Sequence, residues 1–169
     1  MQKEDVDQIM AIEEVSFGSH HWSADSFISE MQNPLGNYFC AIDKATGQLI
    51  GYCGFWTILE EAHVTTIAVK HDYRKKRIGE ILLQHMIETG YKVDAKWFTL
   101  EVRVSNMPAL SLYKKYGFDS LGVRRKYYQD NNEDALIMWT QNIWDTKYKE
   151  KFNELKENLL NSNELILHK

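Results

Sequence analysis

Apolar residues recur along this chain with two different periods, and each change of period marks a new element. Val6, Ile9, Met10, Ile12 and Val15 fall at helical spacing, which predicts a helix over 4–16. Ser23, in WSADSF, is placed to cap a second short helix that runs to about Met31 and stops at Asn33-Pro34. The period then drops to that of strands. NYFCAID and LIGYCGFWTIL read as a pair of strands with Gly47 in the turn between them, and EAHVTTIAV reads as a third. The third run ends in TIAV, small and apolar without alternation, as expected of a central buried strand.

Helical spacing returns over 78–90, where Ile81, Leu82, His85 and Met86 sit on adjacent turns and Gly90 reads as the stop. KWFTLEVRV is a strand. NMPALSLYKKYG is a helix with Asn106 as its cap, Pro108 in its first turn and Gly117 at its end. FDSLGVRRKYY and DALIMWTQN read as two closing strands around the polar turn QDNNE. Trp144, Tyr148, Phe152, Leu155 and Leu159 share a stripe that predicts a last helix over 144–160, with the tail NSNELILHK fraying beyond it. The order α-α-β-β-β-α-β-α-β-β gives an α/β (α+β) fold. One domain over 1–142 has a mixed, mostly antiparallel central sheet flanked by helices, with β-α-β units in its middle, and residues 143–169 form a C-terminal helical extension.

Composition narrows the function. The 169 residues are 44% hydrophobic and 12% aromatic, enough for one proper core. A net charge of -4 gives no general basis for binding nucleic acid. No window reaches the ~18 apolar residues of a membrane span, and the acidic N-terminus has no apolar signal core. A soluble, cytoplasmic protein with no membrane partner is expected. The Lys/Asn-rich composition fits an AT-rich genome, so bacterial cytosol and plastid stroma both suit it. Cys40 and Cys53, in apolar strand-like runs, read as buried thiols, and a disulfide between them would require neighbouring strands. No Cys/His cluster has ligand spacing, and His20-His21 are adjacent rather than one turn apart, so no metal is expected.

Against this acidic background, HDYRKKRIGEILLQHMIETG concentrates Arg74, Lys75, Lys76 and Arg77 where a strand gives way to a helix. Unpaired amides at a helix start carry partial positive charge and bind phosphate well, and four cations would add to that attraction. The alternative is a solvated charged turn. The stretch lacks the Gly-Lys-Ser/Thr of a Walker loop and is not G-x-G-x-x-G, so ATP and NAD fit poorly.

Arg74-Lys75-Lys76-Arg77-Ile78-Gly79 does match R/Q-x-x-G-x-G/A, and with it the chain resembles the GCN5-related N-acetyltransferases (GNAT). One position departs, since Arg77 stands where the motif has its first glycine. Glycine there permits unusual dihedrals and close approach of backbone to phosphate, and arginine replaces part of that with charge. TLEVRVSNMPALSLYKKYGF and RRKYYQDNNEDALIMW further resemble the ribosomal-protein alanine N-acetyltransferase (RimI) subgroup, as do EEAHVTTIAV and Trp22-Ser23, the latter preceded by His21 rather than proline. The resemblance spans about residues 3–142. It implies acetyl-CoA as cosubstrate. The backbone of Ile67, Ala68 and Val69 would pair with its pantetheine arm. The loop from Arg74 through Lys75, Lys76, Arg77, Ile78 and Gly79 to Glu80 would wrap its pyrophosphate, and Asn106 would touch it from the next helix. It also implies a protein N-terminus as acceptor, for the subgroup the alanine that begins the eighteenth small-subunit ribosomal protein.

Such a transfer needs a base and an acid. An N-terminal amine, with a reference pKa of ~7.7–8.0, is mostly protonated at neutral pH and must lose a proton to attack. The resemblance assigns that task to Glu101, directly or through water; the alternative is a strand carboxylate paired with Arg103 on the same face. Tyr113 is the corresponding acid for the departing thiolate, its alternative being a core-packing aromatic. The spacing to Gly117-Phe118 selects Tyr113 over Tyr116. No nucleophilic serine or cysteine is required, since the amine can attack the thioester itself.

A peptide end would lie between the loop near Trp22 and the hairpin near Tyr127-Tyr128. Glu60, Glu61, Asp130, Glu133 and Asp134 would attract a basic peptide there, or else form an ordinary acidic surface. Residues 143–169 would dock a partner or close a homodimer. Two other functions share these residues: acetylation of a lysine side chain or small amine, and a non-catalytic acyl-CoA-binding or partner-binding module. Arg77 favours the module; Glu101 and Tyr113 together argue against it.

Overall fold

The computed structural model describes residues 1–18 and 21–167, with side chains through residue 161. His20, and with it the adjacent-histidine reading, lies outside the described residues. After a 3₁₀ turn at Lys3–Asp5, helix α1 spans Val6–Phe17. Ser23 Oγ then accepts the Ser26 N–H at 3.1 Å and starts α2, Ala24–Gln32. Strands β1 (Gly36–Ile42), β2 (Leu49–Ile58) and β3 (Glu61–Val69) follow, the first two joined through Gly47 at φ +70°. Helix α3 (Ile78–Lys92) leads to β4 (Trp97–Arg103). Asn106 caps α4 (Met107–Lys115) by accepting the Ala109 N–H at 3.2 Å. Strands β5 (Phe118–Tyr128) and β6 (Glu133–Thr140) and helix α5 (Thr146–Leu167) complete the chain.

The sheet order is β1-β2-β3-β4-β6-β5, antiparallel except where β3 meets β4, with β6 inserted between β4 and β5. A bulge in β3 decides which way its second half faces. Phe55 pairs with Val64 and Gly54 with Thr66, leaving Thr65 as the extra residue, and its hydroxyl donates to the Gly54 carbonyl at 3.1 Å. The extra residue resets the alternation, so Val64 and Ile67 pack toward the same core.

The sheet separates two cores. One gathers Cys53, Phe55, Leu83, Met86, Phe98 and Phe118 beneath α3, α4 and α5. The smaller joins Ile9 and Ile12 of α1 and Phe27 of α2 to Leu49, Tyr52 and Ala68 on the opposite face. Cys40 pairs with Tyr52 and Phe39 with Cys53, so the cysteines lie on adjacent strands but face opposite cores, and both are free thiols.

Four local expectations need correction. Val15 is 71% exposed and leaves the apolar stripe of α1. Helix α3 runs past Gly90 to Lys92, because Gly90 is a packing position: a Cβ there would stand 2.5 Å from the Phe98 ring. Trp144 precedes α5 and donates its indole N–H to the Ala95 carbonyl at 2.8 Å. The tail does not fray at Asn161 but stays helical to Leu167. The rest of the α5 stripe, with Tyr148, Phe152 and Leu159 buried, lies against the chain's own domain. Among the described residues, no helix is long and apolar enough to cross a membrane.

Candidate active site

Strands β3 and β4 pair only from Glu61–His63 to Trp97–Thr99, then diverge. The edge of β3 beyond His63 therefore faces an opening. Its phase follows from one bond, the Lys70 N–H donating to the Ile50 carbonyl at 2.9 Å. Counting back by twos, Ala68 turns its backbone to β2, while Ile67 and Val69 turn theirs to the opening. Of the three residues expected to hold an extended arm, Ala68 thus has its backbone groups committed to the sheet and its methyl in the smaller core. The Val69 carbonyl accepts Arg74 Nε at 3.2 Å, which leaves its N–H and both groups of Ile67 toward the gap.

A 3₁₀ turn at His71–Tyr73 carries the chain from β3 into the basic loop, where Lys75 and Arg77 both have φ +61° before α3 begins. The N–H groups of Lys75, Lys76, Arg77, Ile78 and Gly79 bond to no group among the described residues, whereas those of Glu80 and Ile81 both return to the Arg77 carbonyl at 3.0 Å. A run of unpaired amides at the positive end of a long helix is a seat for an anion. At Gly79 an added Cβ would meet Val69 at 3.7 Å and Leu112 at 4.0 Å, ordinary contacts, so packing does not demand glycine there; the bare backbone leaves the first turn approachable. These features fit a diphosphate on the loop and an amide-bearing arm along β3.

The four cations are not equivalent. Lys76 lies over the Tyr73 ring at 4.7 Å, and Lys75 has no partner among the described residues. Arg74 ties the loop to Val69 and to Ser16 of α1 at 3.4 Å. Arg77 turns back to Glu80, Nε to Oε2 at 2.9 Å. Glu80 is nearly buried and also receives Lys115 Nζ at 2.5 Å and the Tyr116 hydroxyl at 2.8 Å. Burial alone would raise its pKa, but hydrogen bonds from Arg77, Lys115 and Tyr116 outweigh it and hold the carboxylate at about 2. The Glu80 N–H is bonded to the Arg77 carbonyl and its carboxylate to three donors, so its side chain belongs to the frame of the loop.

Phe98, Leu100 and Val102 point into the larger core, so Thr99, Glu101 and Arg103 face the α1–α2 side of β4. Glu101 pairs with Arg124 across the sheet at 3.3 Å. Its alternative partner Arg103 is instead held by Asp130 at 2.7 Å and Glu133 at 3.1 Å and stacks on the Tyr128 ring at 3.8 Å. Tyr113 is on the other side, in the larger core beside Phe118, and its hydroxyl has no hydrogen-bond partner among the described residues. Burial pushes its pKa upward. Tyr116 is occupied: its hydroxyl donates to Glu80 and accepts from Gln84 Nε2 at 2.6 Å. Carboxylate and phenol thus belong to opposite faces of the sheet, which parts between β3 and β4.

One residue escaped the sequence reading, and another was named there only as marking a hairpin. Tyr128, the hairpin residue, is pushed up to about 12 chiefly by burial, with Glu101 among the smaller causes, and it contributes in turn to the upward shift of Tyr113. Glu30 gathers the Trp56 indole N–H at 2.6 Å, the Tyr38 hydroxyl at 3.0 Å and Asn33 Nδ2 at 3.0 Å on one oxygen, and no sequence signal sets it apart on α2. Trp22 packs on Phe27 at 5.3 Å and Tyr38 at 6.4 Å, on this same side. The acidic residues expected to draw a peptide all have partners. Glu60 pairs with Lys96 at 2.5 Å and Glu61 with His63 at 2.9 Å, Asp130 and Glu133 hold Arg103, and Asp134 accepts the Lys126 N–H at 2.7 Å. Asn106 uses its Oδ1 as helix cap, leaving its amide nitrogen exposed.

Residues 5–118 match the model of the acetyltransferase (GNAT) family. The chain is 47% identical over 140 residues to a Bacillus subtilis protein provisionally named a ribosomal protein bS18-alanine N-acetyltransferase, covering 82% of this chain and 91% of that one. It is 36% identical over 147 residues to an N-alpha-acetyltransferase of Sulfurisphaera tokodaii, covering 79% and 86%. Its structure resembles that of the ribosomal-protein-S18-alanine N-acetyltransferase from Escherichia coli, with a TM-score of 0.74 at 32% identity over 83% of this chain and 89% of that one.

Proposed function

The chain belongs to the acetyltransferase (GNAT) family, and we propose that within it this N-acetyltransferase moves an acetyl group from acetyl-CoA to the N-terminal amine of a protein, the N-terminal alanine of a small-subunit ribosomal protein. The observation that carries the reading is the gap between β3 and β4, flanked by five unpaired amides at 75–79. The names of the relatives supply the acceptor class.

Acetyl-CoA supplies an activated acetyl thioester. The amides of Lys75 to Gly79 hold its diphosphate, with Lys75 and Lys76 adding charge. Ile67 and the Val69 N–H hold its arm as an added strand, and Asn106 Nδ2 meets it from α4. Glu101, on the acceptor's face, takes a proton from the ammonium, directly or through water, freeing the lone pair that forms the C–N bond. As the C–S bond breaks, Tyr113 on the opposite face gives its proton to the thiolate sulfur, and the second proton that nitrogen sheds as the amide forms restores the phenol through water. The site of action is the cytosol, where ribosomal proteins are made. The buried stripe of α5 argues against a homodimer built on that stripe.

Labelled acetyl-CoA offered with peptides beginning Ala-Arg, and with the same peptides N-terminally blocked but containing lysine, tests this. Label is expected only on the free termini. Transfer confined to lysine or small amines replaces the acceptor class, and binding without turnover removes the enzyme reading.

A further inference from the structure

Arg77 occupies a backbone conformation that strongly favours glycine, with φ +61° and ψ 11°, immediately before the first turn of α3. A non-glycine residue persists there only if its surroundings hold it. Here they do. The Arg77 side chain folds back along α3 to Glu80, three residues on, and is about one-third exposed, while the Glu80 side chain is 8% exposed. Glu80 is itself fixed from two elements: Lys115 and Tyr116, at the end of α4, both bond its other oxygen. Tyr116 is fixed in turn, its hydroxyl by Gln84 and its carbonyl by the Tyr148 hydroxyl of α5 at 3.0 Å. A chain of hydrogen bonds thus runs from α5 to Arg77, which with Lys75 is one of two left-handed residues that orient the loop amides and is the one at the helix start.

We infer that Glu80 is a positioning residue for cofactor binding: by clamping Arg77 it holds the left-handed turn that aims the amides of residues 75–79 at the diphosphate, a task that glycine at position 77 would make unnecessary. The inference rests on the reading of the loop as the acetyl-CoA diphosphate seat. It assigns Arg77 no phosphate contact of its own, since its charge is already matched by Glu80.

Titration calorimetry with CoA on four proteins tests it: the wild type, Glu80→Gln, Arg77→Gly, and the double variant. Glu80→Gln keeps size and shape but releases the guanidinium, and CoA is expected to bind about tenfold more weakly, as loss of a preorganised turn implies. Arg77→Gly keeps the backbone amide and needs no clamp, so it is expected to bind CoA more tightly than Glu80→Gln does. The double variant should match Arg77→Gly rather than Glu80→Gln, a rescue that damage to a buried hub would not show. Thermal unfolding of each protein identifies any variant whose weaker binding is mere loss of fold. Glu80→Gln binding as well as or better than wild type, or a double variant as weak as Glu80→Gln, overturns the inference. A wild type that does not bind CoA at all overturns the loop reading itself.

Discussion

Tyr113 and Tyr116 share helix spacing and burial, yet their hydroxyls have opposite fates. The Tyr116 oxygen is saturated by Glu80 and Gln84, so it is part of the scaffold. The Tyr113 oxygen has no partner among the described residues and, like any phenol at neutral pH, carries the proton that a donor to a thiolate needs. Removing that oxygen takes away a proton and almost no packing. Tyr113→Phe is therefore expected to lower kcat about 100-fold while CoA affinity stays within about threefold. Steady-state kinetics beside direct CoA titration checks both. An unchanged kcat, or a selective loss of affinity, would withdraw the acid role from Tyr113.

Elements were legible in the sequence wherever apolar period and cap residues agreed. Ser23 and Asn106 do cap α2 and α4, and β2 and β3 fall on the runs that alternation marked. What escaped depends on partners distant in sequence. Nothing in TTIAV announces the Thr65 bulge, which appears only against the register of β2, and without it the division of labour among Ile67, Ala68 and Val69 cannot be read. The Glu80 clamp is likewise invisible, since besides Arg77 its donors are Lys115 and Tyr116, more than thirty residues on. Gly90 shows the same limit. A glycine near the end of a helical pattern reads as a stop, but here it makes room for Phe98 from β4. Gly90→Ala would gain about 1 kcal/mol of helix propensity. It would also drive a methyl to 2.5 Å from a ring that is 0% exposed and has little room to retreat. Overpacking of that kind costs about 1–3 kcal/mol, so a net loss of about 1 kcal/mol is expected. The denaturant midpoint measures it, and a variant at or above wild-type stability would show that Phe98 can move.

Across the whole molecule, the sheet acts as a partition that parts between β3 and β4. Helices α1 and α2 cover the side that Glu101 faces, and α3, α4 and α5 cover the side that holds Tyr113. Helix α5 completes the second side rather than reaching outward. Tyr148 and Phe152 lie on Tyr116, and Lys156 meets Glu88 of α3 at 2.5 Å. If that is its role, stability should depend on the buried stripe and not on the exposed flank of the same helix. Phe152, 5% exposed, and Leu160, 51% exposed, separate the two. Phe152→Ala removes most of an aromatic ring from a closed core and is expected to cost about 3 kcal/mol. For a chain of this size that lowers Tm by about 6–12 °C. Leu160→Ala should stay within about 0.5 kcal/mol of wild type. Equal losses at both positions would mean that the outer flank of α5 is also buried in solution, against a second copy or another protein. The concentration dependence of Tm would then distinguish self-association from a partner.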